Sequence, residues 1–298
     1  MFMPRCATIV LYGIIFVKMS AGSLEEGNMR LNRIGACLVM IGIYLIMRFM
    51  APLIKPGHVG ALGVFLTIGV LMLVQLALVV SVAGLRLNAR QTAPLCLASA
   101  FLFVGILLLT RKIELAPWLL QVLGTFQDLF LMLAAGFLGC IAGLIVREPN
   151  IVLPIAVFAG LVDYWNVSLG PLGHIVETKP SLISAVTVHM PTSMPGVPML
   201  MVGMGDFIFL ALFFSVLYRL GMNVKGSFWL GYVFLTATMY VVVVFGGALP
   251  ALLPMGIAVI GANRRHFQLK RDEQLAMIYV AAVLLAFLIM SGVFMFRR

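Results

Sequence analysis

Two aspartates stand inside stretches that otherwise read as membrane spans: Asp163 in "FAGLVDYWNVSLG" and Asp206 in "MVGMGDFIFLALFFS". A carboxylate at the bilayer centre is costly, so an intramembrane acid marks a functional site by default. Asp206 falls about eight residues into an apolar run that begins near residue 198, about 12 Å deep at the helical rise. Asp163 falls about five to eight residues before its own helix must end at Gly170-Pro171, counted with the same rise per residue. The chain turns once between the two, so both depths are measured from one membrane face and agree within about a turn. Gly203 and Gly205 remove side chains that would hold two backbones apart. Two carboxylates that meet in a low dielectric cannot both ionise cheaply, and they share a proton. Such a pair activates water for attack on an amide carbonyl. Its ionised member takes a proton from the water, and its protonated member hydrogen-bonds the developing oxyanion before the proton passes to the leaving nitrogen. The chain has no HExxH or GxSxG, and this chemistry calls for no metal and no cofactor.

Blander readings exist for each acid. Asp163 and Asp206 could each pair with a cation or a backbone donor inside the bundle. Alternatively they could carry protons or sodium in a secondary transporter with a broken helix at Pro250 to Pro254. That alternative requires an inverted repeat, and none is visible. Asp128 in "GTFQDLFLM" and Gln75 read as bundle hydrogen bonds, while His174 and Glu177 read as solvated loop residues. The stretch "GGALPALLPMG" (residues 246–256) places two prolines between glycines. It reads either as a helix start with proline in its first turn, or as irregular backbone beside the two acids. In the second case Pro250, Ala251 and Leu252 offer free groups to an extended substrate.

The elements that must position these residues are membrane helices. The chain has 298 residues, 63% hydrophobic and only 10% charged, with a mean hydropathy of +1.14. A soluble domain carries about 25% charged residues. The net charge of +10 comes from cations scattered singly and in pairs between apolar runs. That pattern orients a membrane protein, and no aromatic-interleaved basic stripe is present for nucleic acid. Cys6, Cys37, Cys96 and Cys140 lie far apart in apolar segments, without the spacing of a disulfide framework or a zinc site. Runs of about 20 apolar residues place spans at 7–22, 34–54, 59–85, 94–110, 118–146, 151–168, 198–219, 227–246, 250–262 and 275–296. The expected architecture is an all-α polytopic bundle of nine or ten spans. Residues 1–150 form an N-terminal bundle, 151–262 carry the acids, and 263–298 hold a basic loop and a last helix. "SLISAVTV" (residues 181–188) has the β-branched content of a short strand, and a second strand is expected just before Pro198. Most Lys and Arg fall on the side of the 7–8 and 9–10 connections, which places the 6–7 loop outside.

Taken together, these residues resemble a known family. Gly203-Met204-Gly205-Asp206 looks like the GxGD motif of the presenilin and signal peptide peptidase family of intramembrane aspartyl proteases. Pro250-Ala251-Leu252 matches that family's PAL motif, and Asp163 stands where its sixth-helix aspartate is expected. Gly170-Pro171-Leu172 and Val176-Glu177-Thr178 resemble the presenilin branch. The resemblance covers roughly residues 150–260. It departs at Val162, where the family has tyrosine before the first aspartate, and in a 6–7 loop too short for presenilin-type autoproteolysis. The resemblance implies catalytic Asp163 and Asp206, and a substrate-binding role for Gly203, Gly205, Pro250, Ala251 and Leu252. It implies transmembrane helices of other proteins as substrates and the lipid bilayer as solvent, while the short loop, a departure, points to an uncleaved single chain working without obligatory subunits. The compact loops suggest the cell membrane of a prokaryote.

Overall fold

The computed structural model describes residues 26–50, 61–112, 116–168, 186–189, 201–245 and 249–268, with isolated positions from 271 to 286. The first expected span (7–22), most of the tenth (275–296), the Gly170 to Thr178 motif and the strand expected before Pro198 lie outside these residues. The helices are α1 (Glu26–Met50), α2 (Ala61–Gly84), α3 (Ala89–Lys112), α4 (Pro117–Gly143), α5 (Val152–Ser168), α6 (Met204–Arg219), α7 (Val224–Phe245) and α8 (Leu252–Asn263). Thus α1 to α5 answer to the second to sixth expected spans, and α6 to α8 to the next three. Among the described residues, six stretches are long and apolar enough to cross a membrane: within α1, α2, α3 and α4, across α5, and in α7. The chain is an all-α polytopic membrane bundle.

Burial divides the helices by role. From Leu71 to Gly84 every residue of α2 is buried, because α1, α4, α6 and α7 all pack on it. A helix apolar on every face suits that central place. In α3, by contrast, only Thr92 and Ser99 are buried, and Leu97 and Phe101 are 71% and 79% exposed. This is the lipid-facing rim. Its hydroxyls are satisfied locally: Thr92 Oγ1 donates to the Asn88 carbonyl and Ser99 Oγ to that of Leu95, so neither is left unpaired in an apolar medium.

The core is centred on α6, where Phe213, Val216 and Leu217 are fully buried. It lies against α4 with the backbones unusually close. A Cβ added to Gly143 would sit 3.2 Å from the Ser215 Cβ, and one added to Gly139 would sit 2.8 Å from the Ala211 Cβ. Small residues four apart allow this approach, which dispersion then rewards.

One expected element changes type. The run from 198 was read as a single helix through Asp206, but Met201–Gly203 is a strand, β2. It pairs antiparallel with β1 (Thr187–His189) in the register Thr187↔Gly203, Val188↔Val202 and His189↔Met201. Val188 and Val202 are buried, at 0% and 5% exposure. The Met204 N–H continues the ladder to the Val186 carbonyl at 3.0 Å. Gly203 and Gly205 disfavour a helix, and a strand partner is at hand, so α6 begins only at Met204.

Candidate active site

Asp206 consequently lies in the first turn of α6, not eight residues into it. Gly203 is the N-cap residue, with φ −71° and ψ 150°. Its N–H donates to Asp206 Oδ2 at 3.2 Å, the return half of a capping box whose outgoing half glycine cannot supply. The site therefore uses its acid to close the end of the helix that carries it. Counting back thirteen residues from Arg219, the end of α6, sets Asp206 about 20 Å from that end, still within a hydrocarbon core of about 30 Å.

Asp163 is placed by α5 and α8. A Cβ on Gly160 would stand 3.3 Å from the Leu253 Cα, and one on Gly256 would stand 3.3 Å from the Ala156 Cβ. These two glycines let the helices touch. Asp163 is three residues beyond Gly160 and shares its face, so its carboxylate arrives at the start of α8. There the Leu252 N–H donates to Asp163 Oδ2 at 2.8 Å, and the backbone of Ala251 faces the same carboxylate. The first N–H groups of a helix have no internal partner and carry the positive end of its dipole, so an acid is the natural cap. The expectation of free backbone groups at Pro250 to Leu252 is corrected here. Ala251 has helical dihedrals (φ −84°, ψ −26°), Leu252 opens α8, and the Leu252 N–H is already taken. The helix-start reading of this stretch is the one observed, with Pro254 in the first turn of α8.

The two carboxylates come from different helices, and Asp163 lies close enough to Asp206 to act on it electrostatically. Both are half-buried. The role expected of Gly203 and Gly205 in bringing the backbones together is not observed. A Cβ on Gly205 would meet nothing within 4 Å, and one on Gly203 would meet chiefly the Asp206 carboxylate itself. These glycines sit at a strand-to-helix junction, where no helix packs. Close approach is achieved at Gly160, Gly256, Gly139 and Gly143 instead. Gly139 and Gly143 have the four-residue spacing that would have signalled it.

A cavity of about 30 Å³ adjoins Asp206, lined also by Gln75, Phe207, Tyr232, Ala251 and Met255. It has room for a water molecule and none for a peptide. Gln75, on the buried helix α2, is 3% exposed and its Oε1 has no hydrogen-bond partner among the described residues. The bundle hydrogen bond expected for it is thus not found, and its place beside Asp206 is what the sequence did not disclose. Asp128 does find a partner, an ion pair from Arg48 that joins α4 to α1. It is no part of the site. Among the described residues no group of His, Cys, Asp and Glu is arranged to hold a metal ion.

The arrangement defines a class: a multi-pass helical membrane protein with two aspartates in electrostatic reach of each other, each accepting a backbone N–H at the start of a helix. Comparison with known protein families, with curated proteins and with solved structures finds no match.

Proposed function

We propose that the chain is an intramembrane aspartyl protease of nine or ten spans that hydrolyses peptide bonds within transmembrane helices of other membrane proteins. The observation that carries the reading is that Asp163 lies within electrostatic reach of Asp206, each carboxylate held by a backbone N–H at a helix start. Backbone caps orient both carboxylates, and among the described residues no cation neutralises them, so the pair keeps its proton chemistry. The resemblance of Asp163, Gly203 to Asp206 and Pro250 to Leu252 to the presenilin family supports the same assignment.

In this mechanism the pair holds one proton. The ionised carboxylate takes a proton from water as the water oxygen bonds to the amide carbon, and the other carboxyl gives its proton to the carbonyl oxygen. The tetrahedral intermediate then collapses. The C–N bond breaks as the nitrogen takes the proton that the first carboxylate drew from water, the second carboxylate takes back a proton from one hydroxyl, and a carboxylic acid and an amine result with the pair again holding one proton. A substrate helix must unwind locally to present its amide. The β1–β2 ladder immediately before Asp206 offers strand backbone against which an extended segment can pair. The cavity beside Asp206 is too small for that segment, so α6, α7 and α8 must separate for it to enter.

The test is cleavage of a labelled transmembrane peptide by the purified, reconstituted chain. Asp163→Asn and Asp206→Asn each keep an acceptor for the capping N–H and lose the acid. Each is expected to slow cleavage at least about a thousandfold, as for other groups that act as a unit. Cleavage retained in either variant removes the pair from the mechanism. Ion-driven flux that survives aspartyl-protease inhibitors, with no cleavage, would favour the transporter.

A further inference from the structure

A second open space lies at the other end of α6. A cavity of about 190 Å³ is lined by Arg86, Asn88, Thr92, Cys140, Ser215 and Arg219, among others. It forms where α2, α4 and α6 end and α3 begins, so it sits at the level where spans meet lipid headgroups.

Two guanidinium groups, Arg86 and Arg219, face this space, and among the described residues no acid lines it and no carboxylate pairs with either. Arg219 Nη2 donates to the carbonyls of Gly143 and Val146, which close the end of α4. That engages one nitrogen of a group with five N–H donors. Arg86 stands over the Tyr218 ring, 5.7 Å from its centroid, and holds a positive φ of 50°. Two more cations act on these: Arg33 on Arg86, and Arg147 on Arg219. Burial first, and then Arg33, lower the pKa of Arg86 from its ordinary value. Arg86 and Arg219 are thus crowded by like charge, and among the described residues no acid lines their cavity. The start of α3 adds to the demand. Its Gln91 and Thr92 N–H groups bond the Asn88 carbonyl, and the N-terminal end of this 24-residue helix favours negative charge. Cations that merely orient a span need only point to water. These line a cavity with several times the space one water needs.

We propose that this cavity binds a phosphate group, supplied by the headgroup of an anionic phospholipid in the leaflet that these helix ends reach. Arg86 and Arg219 grip the phosphate oxygens in the paired geometry that guanidinium favours. The bound headgroup ties the ends of α2, α4 and α6 together. Because Asp206 opens α6 and Arg219 ends it, occupancy steadies the helix that carries the acid. The binding itself stands whether or not the chain hydrolyses peptides.

The experiment uses the full chain, stripped of lipid in a neutral detergent. Thermal unfolding is followed while short-chain phosphatidylglycerol, phosphatidylcholine of equal chain length, or inorganic phosphate is added. Phosphatidylglycerol is expected to raise Tm saturably and phosphatidylcholine is not. In Arg86→Gln, about tenfold more phosphatidylglycerol is needed for the same shift, as for loss of one charge-assisted pair. Arg90→Gln, in the first turn of α3 but outside the cavity lining, responds like the unaltered chain. If inorganic phosphate reproduces the whole shift, the anion site stands and its ligand is the free ion. Native mass spectrometry of the unaltered chain, retaining phosphatidylglycerol over phosphatidylcholine, tests the site even if Arg86→Gln fails to fold. Equal response to the two lipids, or equal weakening by Arg86→Gln and Arg90→Gln, overturns the proposal, since diffuse surface charge then accounts for the binding.

Discussion

Gly139→Ala tests how the bundle positions the candidate site. The new methyl would lie 2.8 Å from the Ala211 Cβ and would fall on the carbonyl oxygen of Ile208. Carbon atoms in contact settle at about 3.5 Å or more, so α6 must retreat by about 0.7 Å at Ala211, and further at Ile208. Neither obstacle is a flexible tip: one is backbone and the other a Cβ, so the helix moves as a body. Overpacking of this kind costs about 1–3 kcal/mol, which lowers Tm by about 2–10 °C for a chain of this size. Ile208 is two residues beyond Asp206, and Asp163 belongs to a different helix. The retreat therefore separates the two carboxylates, and misplacement of about 1 Å costs about a hundredfold in rate. Gly124→Ala is the control, on the same helix with nothing within 4 Å of the added methyl. It is expected to stay within about 0.5 kcal/mol. The measurements are thermal unfolding in detergent and initial rates of peptide cleavage, made on both variants side by side. Gly139→Ala unfolding and cleaving like Gly124→Ala would refute the claim that this contact sets the position of α6.

Other perturbations follow from the same packing. Arg48→Met takes the cation from Asp128, whose side chain is 6% exposed, and is expected to cost about 3 kcal/mol, with most of it recovered in Arg48→Met/Asp128→Leu; a double-mutant cycle by denaturation checks this. Asn263→Leu removes three hydrogen bonds, Nδ2 to Ser227 Oγ at 2.7 Å, Nδ2 to the Val259 carbonyl at 2.8 Å and the Asn223 N–H to Oδ1 at 2.7 Å. It leaves the Asn223 N–H without its acceptor between α6 and α7, so a loss of about 2–3 kcal/mol in the unfolding midpoint is expected. Gln75→Leu removes an acceptor that has no partner among the described residues, so stability is expected to hold or rise by about 1 kcal/mol. A fall in Tm would show that the amide is a structural support.

Much of the fold was legible because membrane spans are a local property. The apolar runs 34–54, 59–85, 94–110, 118–146, 151–168 and 227–246 each coincide with a helix, with ends shifted by at most eight residues. The run from 198 misled because hydropathy does not separate a buried strand from a buried helix. Val202 is as apolar as any helical neighbour, and only its partner Val188, fourteen residues earlier, decides its conformation. The helix contacts were legible in type but misassigned in place. Gly203 and Gly205 were conspicuous beside the acid, yet the glycines that bring helices together are Gly139, Gly143, Gly160 and Gly256. Gln75 was visible as a lone polar residue in an apolar run. That it borders the same cavity as Asp206 depends on α2 threading the middle of the bundle, which no local pattern records.

By itself the amino-acid sequence determined the solvent, the helical class and the acids worth watching, because the cost of a polar group in lipid is set residue by residue. Tertiary structure alone decided which partners meet those acids. Asp163 caps α8 through the Leu252 N–H, Asp206 closes the start of α6, and the two feel each other across helices 43 residues apart in the chain. Such encounters depend on how closely backbones pack, and packing is a property of pairs of helices, not of either one alone.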